Sequence, residues 1–307
     1  MVRYLPRLLE SGYVPDTIAK SLRMGQTKTV GFVVPDISNP FFPEVLNGAE
    51  AVCADYGYTI ILGNTNEDVA CEAKVVRSLR QQRADGLLMI LVDESGGTLR
   101  QALAGADADL PIVFIDRHIE GFLYDSVIID NEAGTSQATR YLLELGHTKI
   151  AIIHGPTTTT PGVGRLRGYE HAMQAAGVPV NPEYVLLGDF RTESGYRLAK
   201  QLMCMSDPPT AIIGGNNLMT MGIFRCLKDM DVPVPDQVSL IGFDDFQLAG
   251  YLSPPLTVVD RPMSDMGRLA ADLLFLRIEK RDLGPVRRVV LPTALEVRGS
   301  CRRLNDR

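Results

Sequence analysis

A chain of 307 residues exceeds what one hydrophobic core ordinarily serves, so two units of about 130–150 residues each are expected. Hydrophobic residues at 45% and charged residues at 22%, with 28 glycines and 19 prolines dispersed along the chain, exclude a disordered or collagen-like polymer. No apolar run approaches the roughly 18 residues of a membrane span, and Met1 to Pro6 lack a basic segment leading into an apolar core, so a cytoplasmic protein without a membrane partner is expected.

The net charge of −6 is uneven. Arg3, Arg7, Lys20, Arg23 and Lys28 face only Glu10 and Asp16 in the first 28 residues, so a short basic arm precedes an acidic body. Val- and Ile-rich runs follow at 29–34, 59–62, 86–91, 111–115 and 127–129, which read as strands buried on both faces. Helical spacing separates them, as in Val45, Ala49, Val52 and Tyr56, or Ala73, Val76 and Leu79. The plan then restarts with strands at 149–153, 184–187, 210–213 and 238–241 and helical segments at 164–176, 192–205 and 219–230. This predicts an α/β protein of two doubly wound parallel-sheet lobes. Runs at 127–129, 257–259 and 289–291 fit neither half and are expected to stand between the lobes as three crossover segments.

Open α/β sheets bind ligands beyond the carboxyl ends of their strands, so the residues just after each strand should line a cleft between the lobes. Those positions hold Asn39, Phe41 and Phe42, then Asp116 and Arg117, then Arg165, Phe190, Asn216, Asp244 and Asp260. Carboxylates, amides and guanidinium groups bridge neighbouring hydroxyls, and aromatic rings stack on sugar faces, so the set suits a sugar or similar polyol. Singly, each residue also serves as a helix cap, a turn residue or core.

Catalytic and cofactor patterns are absent. Gly162, Gly164 and Gly168 read Gly-x-Gly-x-x-x-Gly, which is not the spacing of a dinucleotide fingerprint. His118, His147, His154 and His171 never pair four apart, and Cys53, Cys71, Cys204, Cys226 and Cys301 form no Cys-x-x-Cys pair. No enzyme activity, metal or cofactor is expected.

Several ordered motifs resemble the lactose/galactose repressor family: Gly12-Tyr13-Val14-Pro15-Asp16, Ala19-Lys20-Ser21-Leu22-Arg23, and the run from Thr29 through Asn39-Pro40-Phe41-Phe42. Asp130-Asn131, Leu145-Gly146-His147, Gly164 to Tyr169 and Val238 to Asp244 continue the likeness to about Arg298. The resemblance implies a cytoplasmic homodimeric repressor, with residues 1–27 as a head remnant and hinge helix. Residues 28–129 with 262–291 would form the first lobe, and 130–261 with 292–307 the second. It implies that residues 16–24 form the hinge helix, with Leu22 wedged into the minor groove of operator DNA and Ala19, Lys20 and Arg23 beside it. A helix so short orders only against a partner. Val2 to Ser11 match only the last helix of the DNA-reading head that such repressors carry. In the purine-responsive subgroup an Arg and a Thr contact the base where this chain has Thr159 and Pro161, so a sugar effector is expected over a purine. The alternative is a periplasmic sugar-binding protein with no role on DNA.

Overall fold

The computed structural model describes residues 26–104, 110–280 and 284–304. The expected head remnant and hinge, including Ala19, Lys20, Leu22 and Arg23, lie outside the described residues.

The first sheet has six strands in the order β11-β5-β4-β3-β1-β2. They are β1 (Thr29–Val34), β2 (Thr59–Asn64), β3 (Gly86–Met89), β4 (Ile112–Ile115), β5 (Asp125–Ile129) and β11 (Arg288–Leu291), all parallel. The second repeats the plan as β12-β10-β9-β8-β6-β7, from β6 (Ile150–His154), β7 (Val185–Leu187), β8 (Ala211–Gly214), β9 (Ser239–Phe243), β10 (Thr257–Asp260) and β12 (Ala294–Glu296). Here β12 alone runs antiparallel, pairing with β10. The inner strands are buried end to end because helices cover both faces of each sheet. The outer strand β2 has no fully buried residue.

The helices are α1 (Phe41–Asp55), α2 (Val69–Gln81), α3 (Gly97–Leu103), α4 (Asn131–Glu144), α5 (Thr160–Ala175), α6 (Thr192–Met203), α7 (Asn217–Asp229) and α8 (Met263–Ile278). Two of the longer ones escape sequence periodicity for opposite reasons. The buried face of α4 is small or polar, with Asn131, Gly134, Thr135 and Thr139 on it, whereas α8 buries so many of its residues that no polar face stands out.

The runs at 127–129, 257–259 and 289–291, expected between the lobes, are instead regular sheet members. The chain passes between sheets just beyond them: at Asp130, at Arg261-Pro262, and at residues 292–293. Two passages are tied together by the Asp130 N–H donating to Leu291 O at 3.0 Å. Asp130 also caps α4 by accepting from Ala133 N at 2.8 Å.

Helices pack in pairs at glycine contacts. A Cβ on Gly267 of α8 would lie 1.9 Å from Val45 O of α1, and one on Gly48 of α1 would lie 2.0 Å from Ser264 O. In the second unit a Cβ on Gly168 of α5 would meet Glu132 O of α4 at 2.2 Å, and one on Gly164 would meet Asn131 Cβ at 2.8 Å. The glycines at 164 and 168 therefore serve helix packing, and the close approach they allow brings Arg165, on the same turn, against Asn131.

Candidate functional site

The carboxyl ends of both sheets face one another across a small cavity of about 30 Å³. From the first unit come Asn39 ahead of α1, Phe41 and Phe42 in its first turn, and Asp116 and Arg117 beyond β4. From the second come Arg165 in α5, Phe190, the α7 cap Asn216, and Asp244 beyond β9. Asp116, Phe190 and Asp244 hold positive φ of 63°, 64° and 71°. Non-glycine residues in this region each carry strain of order 1 kcal/mol, and such strain gathers where side chains must aim at a ligand.

The interior is a network of buried ions. Arg261, on the second passage between sheets, donates through Nη1 to Asp116 Oδ1 at 2.5 Å and stacks 3.5 Å over the Phe41 ring. Its Nε lies 2.7 Å from Asp244 Oδ1, but not in hydrogen-bonding direction. Arg165 donates from Nε to Asn131 Oδ1 at 2.8 Å and from Nη1 to Gly215 O at 2.5 Å, lies 3.6 Å over Phe243, and reaches Asp244 only at 4.0 Å. Burial pushes the Arg165 guanidinium down to about 10, against the attraction of Asp244. Arg117 grips Glu67 with two hydrogen bonds, at 3.1 and 2.9 Å, and donates to Leu91 O at 2.7 Å. Burial opposes its charge, yet Glu67, Asp116 and Glu94 together raise its pKa above the ordinary arginine value. Both carboxylate oxygens of Asp244, Arg117 Nε and Arg261 Nε are buried without a hydrogen-bond partner among the described residues.

Direct bonds join the two units around this network. Asn217 Nδ2 donates to Asn39 Oδ1 at 2.9 Å. Glu94 accepts from the Thr160 N–H at 2.8 Å and also from its hydroxyl, which lies 3.2 Å from His118 Nδ1. Behind Arg117, the fully buried Glu72 accepts from Val92 N at 2.5 Å. Burial lifts both Glu72 and Glu94 from 4.5 to about 7. A carboxyl raised in this way favours the folded state while protonated, so its contribution is complete below about pH 4.5 and is lost as pH climbs through 7. The Tm gain of Glu72→Gln over the parent should therefore grow from pH 5 to pH 8 by the equivalent of roughly 3 kcal/mol. A difference constant across that range in a denaturation series would contradict this.

Asp260 is the sequence candidate placed apart: it lines a neighbouring cavity, while Arg261 turns into the cleft. Arg261 and Glu67 are missed by the strand-end reading. Glu67 follows β2 by a few residues, with φ 55°, so only its loop conformation brings it back to Arg117. Asn216 and Phe41 satisfy two readings at once. Asn216 Oδ1 caps α7 through Met219 N at 2.9 Å, and Phe41 belongs to the core, yet both line the cavity. His147 is structural, its ring bonded to Thr210 Oγ1 at 2.9 Å and Ser239 Oγ at 3.0 Å.

Two doubly wound units meeting at their strand ends over convergent, partly unsatisfied ions define a bilobal ligand-binding protein. The chain belongs to the family of periplasmic binding proteins and sugar-binding domains of the LacI family, whose model matches residues 27–294. It is 37% identical to the HTH-type transcriptional repressor PurR of Photobacterium profundum, over 95% of this chain and 87% of that one. It is 36% identical to the ribose operon repressor of Escherichia coli K12, with the same coverage. Among solved structures, a complex of the transcriptional regulator CelR with cellobiose superposes with a TM-score of 0.81 at 32% identity, covering 95% of this chain and 88% of that one. With such relatives the chain is a ligand-responsive transcriptional repressor of the LacI family.

Proposed function

We propose that the effector is an uncharged polyhydroxylated molecule of the sugar class, bound between lobes formed by residues 28–129 with 262–291 and by residues 130–261 with 292–307. One observation carries this: both oxygens of Asp244 and the Nε groups of Arg117 and Arg261 are buried in the cleft without hydrogen bonds. Orphaned buried donors and acceptors side by side call for a partner that both donates and accepts, as a hydroxyl does. Charge points to a neutral partner, because Arg117, Arg165 and Arg261 are already matched by Glu67, Asp116 and Asp244. An ion entering such a buried set would bring uncompensated charge. A purine finds less here, since the Thr159 hydroxyl donates to Pro156 O at 2.8 Å and caps α5 through Gly162 N, and Pro161 has no N–H to offer. The sugar-binding description of the family and the cellobiose complex of CelR support the same class.

A cavity of about 30 Å³ admits little more than water, so entry requires the lobes to part, breaking the Asn39–Asn217 and Glu94–Thr160 bonds. Effector binding then biases one lobe arrangement over another, and residues 16–24, as a hinge helix with Leu22 as its wedge, carry that bias to operator DNA in a cytoplasmic homodimer. The protein acts by binding, not catalysis. A thermal-shift series of pentoses, hexoses, sugar phosphates, nucleosides and purine bases tests the class. A sugar at a hundredfold excess over its Kd should raise Tm by about 5 °C or more. A shift confined to nucleosides, bases or phosphates would overturn the proposal.

A further inference from the structure

At the rim of the cleft, side chains from three loops meet across the seam between the units. Glu94 lies beyond β3 and His118 beyond β4 in the first unit, while Thr160 opens α5 in the second. None of the three lines the small cavity, so this part of the seam can re-form over an occupied cleft. The Thr160 N–H donates to both Glu94 oxygens, at 2.8 and 3.0 Å, and Glu94 Oε2 also meets the Thr160 hydroxyl. That hydroxyl oxygen stands 3.2 Å from His118 Nδ1. On the other edge of the ring, His118 Nε2 lies 3.1 Å from Glu120 Oε1, which also accepts from Arg288 at 3.0 Å.

The order of these contacts fixes the protons. Hydrogen bonds from His118 and Arg288 hold the Glu120 carboxyl below its ordinary value, so Glu120 is an anion and Nε2 carries the hydrogen aimed at it. Nδ1 is then the ring atom that gains or loses a proton. The Thr160 hydroxyl has one hydrogen to give and stands between two groups that each accept when deprotonated. One proton shared by Glu94 Oε2 and His118 Nδ1 completes the ladder in either direction: imidazolium to hydroxyl to carboxylate, or carboxyl to hydroxyl to imidazole. Without that proton the hydroxyl turns to Glu94, and lone pairs face one another across the 3.2 Å gap.

The other charges near this cluster among the described residues already have partners. Asp93 accepts from Ser95 N and Thr98 N at 2.9 and 3.2 Å, Arg117 is held by Glu67, and Asp116 by Arg261. Glu72 titrates in the same range as Glu94, but Val92, Asp93 and Arg117 around it all belong to the first unit, so its proton does not distinguish joined from parted lobes. At the seam, burial outweighs the Thr160 hydrogen bonds and the Arg117 charge and lifts Glu94 from 4.5 to about 7. Parting the lobes returns Glu94 to solvent and to its ordinary value. The proton therefore favours joined lobes, an advantage complete below about pH 4.5 and lost as pH climbs through 7.

We propose that Glu94, Thr160 and His118 form a proton-operated latch between the lobes, which takes one proton from solvent when the lobes close over the effector and returns it when they part. The proposal rests on the polyol reading of the cleft for its ligand and adds a regulation of that site, in which effector affinity weakens as pH rises.

Two arms test it. In ligand-free protein labelled with nitrogen-15 threonine, the Thr160 amide, assigned by its loss in Thr160→Val, should titrate with a midpoint near 7 and should stay fixed in Glu94→Gln. In the second arm, the sugar with the largest thermal shift is titrated by calorimetry between pH 5.5 and pH 8, and at pH 6 in two buffers of different ionisation enthalpy. Affinity should fall about tenfold or more over that range, with uptake of about half a proton or more per site at pH 6. In Glu94→Gln the amide stands in for the protonated carboxyl, so affinity should stay near the parent's low-pH value at every pH. Glu72→Gln should keep the parent's dependence. A Thr160 amide that does not titrate, an affinity independent of pH in the parent, or a dependence that survives Glu94→Gln would overturn the latch. If no sugar shifts the Tm, the polyol reading fails, and the Thr160 resonance by itself decides the latch.

Discussion

Replacing Arg165 with Ala should abolish effector binding and lower the stability of the second unit. Its side chain is 2% exposed and gathers Asn131 Oδ1, Gly215 O, the Phe243 face and, at 4.0 Å, Asp244 around one guanidinium. Removing it strands two acceptors, Asn131 Oδ1 and Gly215 O, and leaves the buried Asp244 carboxylate with Arg261 as its remaining neighbouring cation. Breaking a buried charged pair from one side costs about 3–5 kcal/mol, so affinity should fall a hundredfold or more. Arg165→Lys should rescue little, because a single ammonium cannot reproduce the fork that reaches Asn131 and Gly215 together. Calorimetry with the sugar selected by the thermal-shift series checks this, and near-parental affinity for the Lys variant would show that charge alone matters there. The same variant separates the residue's two duties, since Tm without ligand reports its structural share and affinity reports the rest.

Gly267→Ala should be among the most damaging single methyls in the described fold. The added Cβ would lie 1.9 Å from Val45 O, a backbone atom that cannot rotate away, and Gly48 closes the same crossing from the other side. The α1 and α8 axes must separate, at a cost near the upper end of the 1–3 kcal/mol typical of overpacking. Tm should drop by about 6–12 °C. Gly250→Ala supplies the control, since its Cβ meets nothing and its effect should stay within about 0.5 kcal/mol. Equal melting of the two variants would refute the packing argument. Effector affinity should suffer too, because α1 begins with Phe41 and Phe42 and α8 starts just after Arg261-Pro262.

Much of the candidate site is legible in the sequence because an open α/β sheet sends the residue after each strand to one rim. Asn39, Asp116, Asp244 and their fellows could thus be chosen before any contact was visible, and the structure brings them together. Asp260 and Arg261 mark where that reading ends. Both are polar, Asp260 ends β10 and Arg261 follows it, and strand alternation sends neighbours to opposite sides without saying which side is the cleft. The glycines at 164 and 168 show the same limit. Their spacing is plain, but its meaning depends on Glu132 and Asn131, which lie on another helix.

The order of amino acids by itself determined the twofold α/β plan and the rim on which the polar groups collect, since hydrophobic period and strand-end position are local properties of the chain. Only the tertiary structure decided that Arg261 joins Asp116 to Asp244, that Glu67 returns to Arg117, and that Glu94 meets Thr160 across the lobes. Those outcomes depend on strand register and on the approach of segments far apart in the chain, such as Asp116 and Arg261, and no local pattern encodes that geometry.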